Sequence, residues 1–407
     1  MQKMKDVCTF LRKKQGTERL LLCLLACFPL AHITPHPTAL IGLAVILLQA
    51  ACAAEYGKCA FFSREGGTRA CLLLCALLVF YGIVGYGKIA DACTVALMLS
   101  LCIPARAVLS ERKAFRRACV CVGIGGLFTS LYGIFQYYFG NLTVKWVDMR
   151  HFSDIGGRVT SVFDNPNVLS VYLLFCFPLA LIGLGECEKR HTVRVFCAVT
   201  AASVAACTLL TWTRGAWLGM LLEGGLFLFL YSKRTRKILL FSPCFLPLLA
   251  AAAPPQILRR FLSIGSLADS SNLYRVHTWR GVLRTLARHP LGIGVGEQAF
   301  RSVYPRYAVM GTATVMHAHN VYLQFAIETG ALGGALFLFW VAGALWRARH
   351  STHVLPLAGL AVMGLFDHLW YAPSMACLFA CAVTLARQSP RKDTKRRQNV
   401  SILHEKI

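Results

Sequence analysis

From His317 to Trp346 the chain reads HAHNVYLQFAIETGALGGALFLFWVAGALW. The tetrad His317-Ala318-His319-Asn320 gives way to an apolar run that holds one acid, Glu328, and no base. A run of this length can cross a hydrocarbon core of roughly 30 Å as a helix. Helix is the only choice there, because lipid offers no partner to an exposed backbone N–H or C=O. The reading is therefore an all-α polytopic membrane protein, with polar chemistry gathered where this helix meets water.

Runs of comparable length recur on both sides. They cover about 20–34, 38–54, 70–86, 90–109, 117–139, 167–184, 195–212, 215–231, 238–254, 354–371 and 372–386, which with 319–346 makes about 12 transmembrane helices. Of the 407 residues, 56% are hydrophobic and 15% are charged, where soluble domains carry roughly 25%. A soluble enzyme is excluded. The net charge of +25 does not point to nucleic acid, because the bases sit in the connections between apolar runs. The eighteen cysteines lie almost entirely inside those runs, where cysteine acts as a small buried hydrophobe, and segments 140–165 and 255–318 have none. Neither a disulfide framework nor a metal site of the C-x-x-C type is implied, so no metal and no cofactor is expected. No small-residue cleavage site follows the first run, which is expected as a retained helix rather than a signal peptide. Tyr371-Ala372-Pro373-Ser374 joins the last two runs as a turn or a re-entrant kink.

Lysine and arginine asymmetry orients the chain. With the N-terminus in the cytoplasm, segments 1–19, 55–69, 106–117, 186–194, 232–237, 347–353 and 387–407 hold 30 of the 43 lysines and arginines. The expected organisation is a basic cytoplasmic N-terminus at 1–19, nine helices over 20–254, an extracytoplasmic loop at 255–318, three helices over 319–386 and a basic cytoplasmic tail at 387–407. Both termini are then cytoplasmic.

The loop is the longest interruption of the apolar pattern. It carries eight arginines (Arg259, Arg260, Arg275, Arg280, Arg284, Arg288, Arg301 and Arg306), no lysine, and two acids, Asp269 and Glu297. Arginine without lysine fits bidentate recognition of phosphate better than point-charge solubility, although headgroup or solvent contact is the bland alternative for any one of them. Within Arg275–Leu286, apolar residues at 276, 279, 282, 283 and 286 keep a helical period. This predicts an amphipathic helix lying on the outer membrane surface.

Two further outside arginines stand beside helix ends. Arg158 precedes the turn Asn165-Pro166-Asn167, and Arg214 sits in Thr213-Arg214-Gly215-Ala216 between two spans. An arginine so close to the apolar core is costly unless it is paired, lines a wet cavity or snorkels to the interface. Glu328 falls about 13 Å into its span at 1.5 Å per residue. Asp367-His368 lies near the outer end of the eleventh span and is a candidate for lining the cavity, whereas Glu223 reads as structural. Gly330, Gly333 and Gly334 suit a close helix–helix contact. The glycines of His289-Pro290-Leu291-Gly292-Ile293-Gly294-Val295-Gly296 read as a turn, since no strand precedes them.

Taken in order, these motifs over roughly residues 150–345 resemble the O-antigen ligase and O-antigen polymerase family of bacterial surface-polysaccharide enzymes. The final pattern, His319-Asn320, nine residues, Gly330, two residues, Gly333, is similar to that family's H-N-x9-G-x-x-G signature. The resemblance implies a metal-independent membrane glycosyltransferase with a fold similar to the peptidoglycan polymerases of shape, elongation and division. It implies an undecaprenyl-diphosphate-linked glycan donor at the outer face of the cytoplasmic membrane, and a glycan, lipid A core or protein hydroxyl as acceptor. It assigns catalysis to His319, Arg214 and Arg275, and substrate contacts to Arg158, Asn167, Arg280, Asn320 and Asp367. Arg280 competes with Arg275 for its motif position, being five residues away. A histidine can activate an acceptor hydroxyl near neutral pH and arginines can hold a departing diphosphate, while His319-Asn320 can equally cap a helix. The alternative from another class is a transporter or flippase for an anionic or lipid-linked substrate. That reading favours internal repeats and broken helices near the midplane. No repeat relates the two halves.

Overall fold

A computed structural model describes residues 15–57, 66–140, 157–186, 190–241 and 254–388, and every regular element among them is helical. In chain order these are α1 (Gly16–Ala31), α2 (Pro37–Tyr56), α3 (Gly66–Val84), α4 (Ile89–Leu99), α5 (Cys102–Leu109), α6 (Arg112–Phe139), α7 (Pro166–Glu186), α8 (His191–Leu210) and α9 (Arg214–Tyr231). They continue with α10 (Lys233–Phe241), α11 (Pro255–Leu262), α12 (Ser270–Arg288), α13 (Glu297–Val303), α14 (Val321–Ala348), α15 (Leu355–Met363) and α16 (Met375–Gln388). Seven stretches are long and apolar enough to cross a membrane, namely α2, α3, α4 with α5, α6, α7, α8 and α14. The chain is an integral membrane protein of all-helical, multi-span type. Most of the expected ninth span (238–254), residues 1–14 and 389–407 of the basic termini, and Lys145 and Arg150 lie outside the described residues.

Burial separates the centre of the bundle from its lipid-facing rim. About 78% of the apolar window of α7 is buried against 33% in α2, α3 and α8. Accordingly α7 packs against α6, α8, α9 and α15. The outward side chains of α2, α6 and α14 are themselves apolar, for example Leu43, Ile46, Phe135, Phe139 and Phe339. Helices apolar all round are what lipid requires of the outer layer.

Three details depart from the sequence reading. The eleventh span ends at Met363 rather than 371, and residues 364–374 continue without helix to α16. Leu360 and Val362 carbonyls are closed off by Gly364 and Leu365, so the polar stretch Asp367-His368 leaves the helix instead of extending it. The tenth span is broken at Gly330, which adopts φ 76° and ψ 174°. The break leaves carbonyls of the first limb without intrahelical donors, and residues 290–294 take their place. Ile293 N donates to Ile327 O at 2.9 Å, Gly294 N donates to Glu328 O at 3.1 Å, and Ala331 N donates to Pro290 O at 3.0 Å.

Third, the small residues serve this junction rather than a contact with another spanning helix. A Cβ on Gly330 would meet Leu291 C and Pro290 O at 2.7 Å, and one on Gly334 would meet Ala326 of the first limb. The limb Ala331–Ala348 still spans about 27 Å, while Val321–Thr329 is a short arm of about 13 Å. Gly330→Ala should therefore destabilise the protein by upwards of about 2 kcal/mol, since a Cβ is forbidden in this backbone region even before the clash. An unchanged thermal midpoint of the purified variant in detergent would show that the break is incidental.

The loop 255–318 is a folded unit and its expected amphipathic helix is α12. Val282 of α12 joins Ile293, Phe300, Val303, Tyr304, Val315 and Ala318 in a second apolar core, which Ile327 ties to the short arm of α14. Burial of these side chains fixes α12 over the ends of α9, α14 and α15.

Candidate functional site

Alternating helix direction brings the starts of α7, α9 and α14 and the exit of α15 to one end of the bundle, beneath α12. The sequence places a polar group at each of these ends. Arg158 precedes α7, and its Nε donates to Thr211 O at the end of α8 (2.7 Å). Its Nη2 donates to Asn167 Oδ1 on α7 (2.7 Å) and to Thr213 Oγ1 before α9 (2.8 Å). Arg158 thus binds three helix ends together. Burial and the neighbouring Arg260 and Arg275 push it down to about 9, which leaves it charged at neutral pH.

Arg214 is the first residue of α9 and is only 7% exposed. Its Nη1 donates to Ser263 O (3.2 Å) and Ser263 Oγ (2.8 Å), and its Nη2 donates to Asp269 Oδ1 at 2.9 Å. The second carboxylate oxygen lies 2.9 Å from Nη1, so the pair is bidentate. Arg260 approaches the same carboxylate at 3.5 Å, and burial followed by the charge of Arg214 pushes Arg260 down to about 10. Arg275 of α12 donates through Nε to Phe366 O (2.9 Å) and through Nη1 to Ser271 Oγ (2.8 Å). Four guanidinium groups therefore converge where, among the described residues, Asp269 and Asp367 supply the negative charge.

His319 faces Asp367 across 3.4 Å through Nδ1. Burial works against the Asp367 charge, but the His319 hydrogen bond and the positive field of the neighbouring Arg275 hold its carboxyl well below the usual range. His317 packs on His319 with ring centroids 4.2 Å apart, and burial keeps it well below the ordinary histidine range, hence neutral. Tyr274 stands edge-on to His319, and Tyr371 closes over His317. His317, His319 and Asp367 offer one ligand atom each within 4.8 Å of one another, enough to hold a metal ion. A cation there would compete with existing bonds, because His317 Nδ1 already accepts from His319 N (3.3 Å).

Backbone strain marks the same places. Among the described residues, the non-glycine positions with left-handed φ are Ser161, Trp212, Met310 and His319. Three of these four lie within three residues of Arg158, Arg214 or His319. Strain of this kind persists only where the surroundings over-determine the backbone, and it clusters at functional sites. Here a hydrogen-bond relay supplies the constraint. Ala318 N donates to Gln324 Oε1 (2.7 Å), Gln324 Nε2 donates to Glu328 Oε1 (2.8 Å), and Gly296 N donates to the same oxygen (3.0 Å). Glu328, the one acid of this span, thereby ties the His319 turn to the glycine loop.

These groups line a cavity of about 480 Å³ that includes Arg158, Asn167, Arg275, His317, His319 and Asp367. A side lobe of about 70 Å³ shares Arg158, Asn167, Arg275 and Asp367 and adds Arg214 and Arg260. Seven of the eight residues expected at the site fall in different ways. Arg158, Asn167, Arg214, Arg275, His319 and Asp367 line the cavity or its lobe, whereas Asn320 is spent as a cap. Its Oδ1 accepts from Tyr322 N and Leu323 N, and its Nδ2 donates to Leu365 O. The eighth, Arg280, is exposed on α12 and lines neither space. Of the eight loop arginines only Arg260 and Arg275 turn inward. Arg260, Asp269, Tyr274 and His317 are the groups not singled out from sequence. At about 100° per residue, Arg275 lies roughly 140–180° around α12 from the exposed stripe Arg280, Arg284 and Arg288, and that signal was present in the spacing.

Residues 171–338 match the family described as O-antigen ligase. The match takes in Arg214, Arg260, Asp269, Arg275, His319 and Gly330, while Arg158 and Asn167 precede it and Asp367 follows it. Comparison with curated proteins finds no match.

Proposed function

We propose that this chain, whose residues 171–338 match the family described as O-antigen ligase, is a membrane glycosyltransferase that takes glycan from an undecaprenyl-diphosphate donor at the outer face of the cytoplasmic membrane. The observation that carries this reading is the union, in one cavity, of an arginine cluster with a histidine held by a carboxylate.

The chemistry follows from those groups. Asp367 beside Nδ1 favours the tautomer with its proton on that nitrogen, leaving Nε2 of His319 as the base. Nε2 takes the proton of an acceptor hydroxyl as its oxygen attacks the anomeric carbon. The bond from that carbon to the diphosphate oxygen breaks, and undecaprenyl diphosphate departs with the electron pair. One displacement inverts the anomeric centre. Arg275 and Arg214 stabilise the charge that builds on the leaving group, which is where fixed donors contribute most. Arg158, already committed to three helix ends, holds the frame and adds field.

The transporter alternative gains nothing from the broken helix. The backbone groups freed at Gly330 are taken by residues 290–294, and Gly330 lines neither the cavity nor its lobe. The test is transfer in proteoliposomes with an undecaprenyl-diphosphate-linked repeat as the sole sugar source, with and without EDTA. Longer lipid-linked chains indicate a polymerase, and consumption only with a lipid A core or protein acceptor indicates a ligase or protein transferase. Activity should survive EDTA, and its loss with restoration by a divalent cation would move His317, His319 and Asp367 to a metal-binding role. Donor moved across the bilayer without consumption would defeat the enzyme reading.

A further inference from the structure

We propose that Asp269 is a built-in counter-anion, which occupies the phosphate-binding face of Arg214 and Arg260 and is exchanged for the donor's diphosphate in each cycle. The inference rests on the diphosphate reading of the arginine cluster, and it concerns how that cluster lets go.

Asp269 makes the contacts that a phosphate would make. Its carboxylate grips Arg214 in bidentate fashion at 2.9 Å and 2.9 Å and reaches Arg260 at 3.5 Å. It also accepts Asn272 N at 3.0 Å as the cap of α12, and a helix start is itself a place for an anion. A phosphate oxygen set matches the same fork and the same amide. Burial alone would raise the Asp269 carboxyl, but the hydrogen bond and charge of Arg214 outweigh it and hold the group below the usual range. Asp269 is therefore a charged competitor for the lobe in which Arg214 and Arg260 meet Arg158 and Arg275.

Such a competitor solves a problem of turnover. Four clustered arginines that bind a diphosphate donor also bind the spent undecaprenyl diphosphate, which keeps every phosphate oxygen. A tethered carboxylate competes at high effective concentration however dilute the free ligand is. It weakens donor and product alike, and so trades affinity for release. It also offsets one of the two positive charges of Arg214 and Arg260 whenever no substrate anion is present, which lowers the cost of holding two like charges in a small space. Because Asp269 begins α12, its exchange loosens the helix that carries Arg275.

The test measures binding of inorganic pyrophosphate and of undecaprenyl diphosphate to the full chain in nanodiscs. Asp269→Asn and Asp269→Ser remove the charge and keep a capping oxygen, and Asp269→Glu keeps the charge. Both uncharged variants should bind pyrophosphate about tenfold tighter than wild type and should be inhibited by lower undecaprenyl diphosphate, while Asp269→Glu stays near wild type. In wild type, pyrophosphate should speed hydrogen exchange at the Asn272 amide as the cap is withdrawn. Weaker or equal binding in both uncharged variants at wild-type thermal stability, or exchange at Asn272 that slows or stays constant, overturns the exchange, as does a wild type that binds no pyrophosphate. If the binding shifts occur but no glycan is transferred, the exchange stands and the glycosyltransferase reading falls.

Discussion

His319→Asn should reduce glycan transfer by about 10²–10⁴-fold, the usual share of a general base, with donor binding close to wild type. Asparagine is the informative replacement because His319 holds φ 47°, a left-handed conformation that asparagine tolerates and most side chains do not. Alanine would confound lost chemistry with a shifted backbone, and the relay through Gln324 and Glu328 shows how firmly that backbone is set. Asp367→Asn should follow at a smaller loss. It keeps an oxygen 48 residues away in sequence but adjacent to Nδ1, and it removes the charge that stabilises a protonated imidazole. The pair separates two accounts of His319. If the residue only shapes the start of α14, His319→Asn should leave turnover intact and alter thermal stability. If it is the base, turnover falls and stability holds. Retention of more than about a tenth of wild-type turnover would remove His319 from the chemistry.

The helices were legible because lipid imposes one rule, a long apolar run with no backbone group unpaired, and periodicity and length report that rule directly. The breaks were not. Gly330 lies between Thr329 and Ala331 in an unbroken apolar pattern, and nothing local announces that Pro290 and Ile293 complete its hydrogen bonds. Long-range pairing also marks the end of the short α15, where Gly364 O accepts from Val321 N at the start of α14. At the site, the outside arginines beside helix ends, Arg158 and Arg214, stood out by their cost. Arg260 did not, because its role depends on Asp269, nine residues on, being shared with Arg214, which lies 55 residues before that aspartate. Asn320 shows the converse. A motif position can be filled by a residue whose side-chain oxygen caps the helix it starts and whose amide nitrogen ties that start to Leu365 O.

Arg275→Lys should lower turnover by about 10²–10³-fold, the scale for losing one fixed donor at developing charge, while Arg280→Ala should leave turnover within about twofold, as surface changes usually do. The two arginines compete for one motif position by sequence, and the structure separates them by about 140° around α12. Arg275 is anchored by Phe366 O and Ser271 Oγ and lines both the cavity and its side lobe. Lysine keeps the charge but has no planar fork, so it cannot hold Phe366 and face an anion at once. The loss should therefore fall mainly on kcat, since ground-state attraction of a diphosphate survives any cation whereas alignment with the breaking bond does not. A lysine variant that raised KM alone would make Arg275 a simple binding contact. Equal losses at positions 275 and 280 would mean that α12 sits differently over the bundle, and the arrangement of His319, Asp367 and the arginine lobe beneath it would have to be rebuilt.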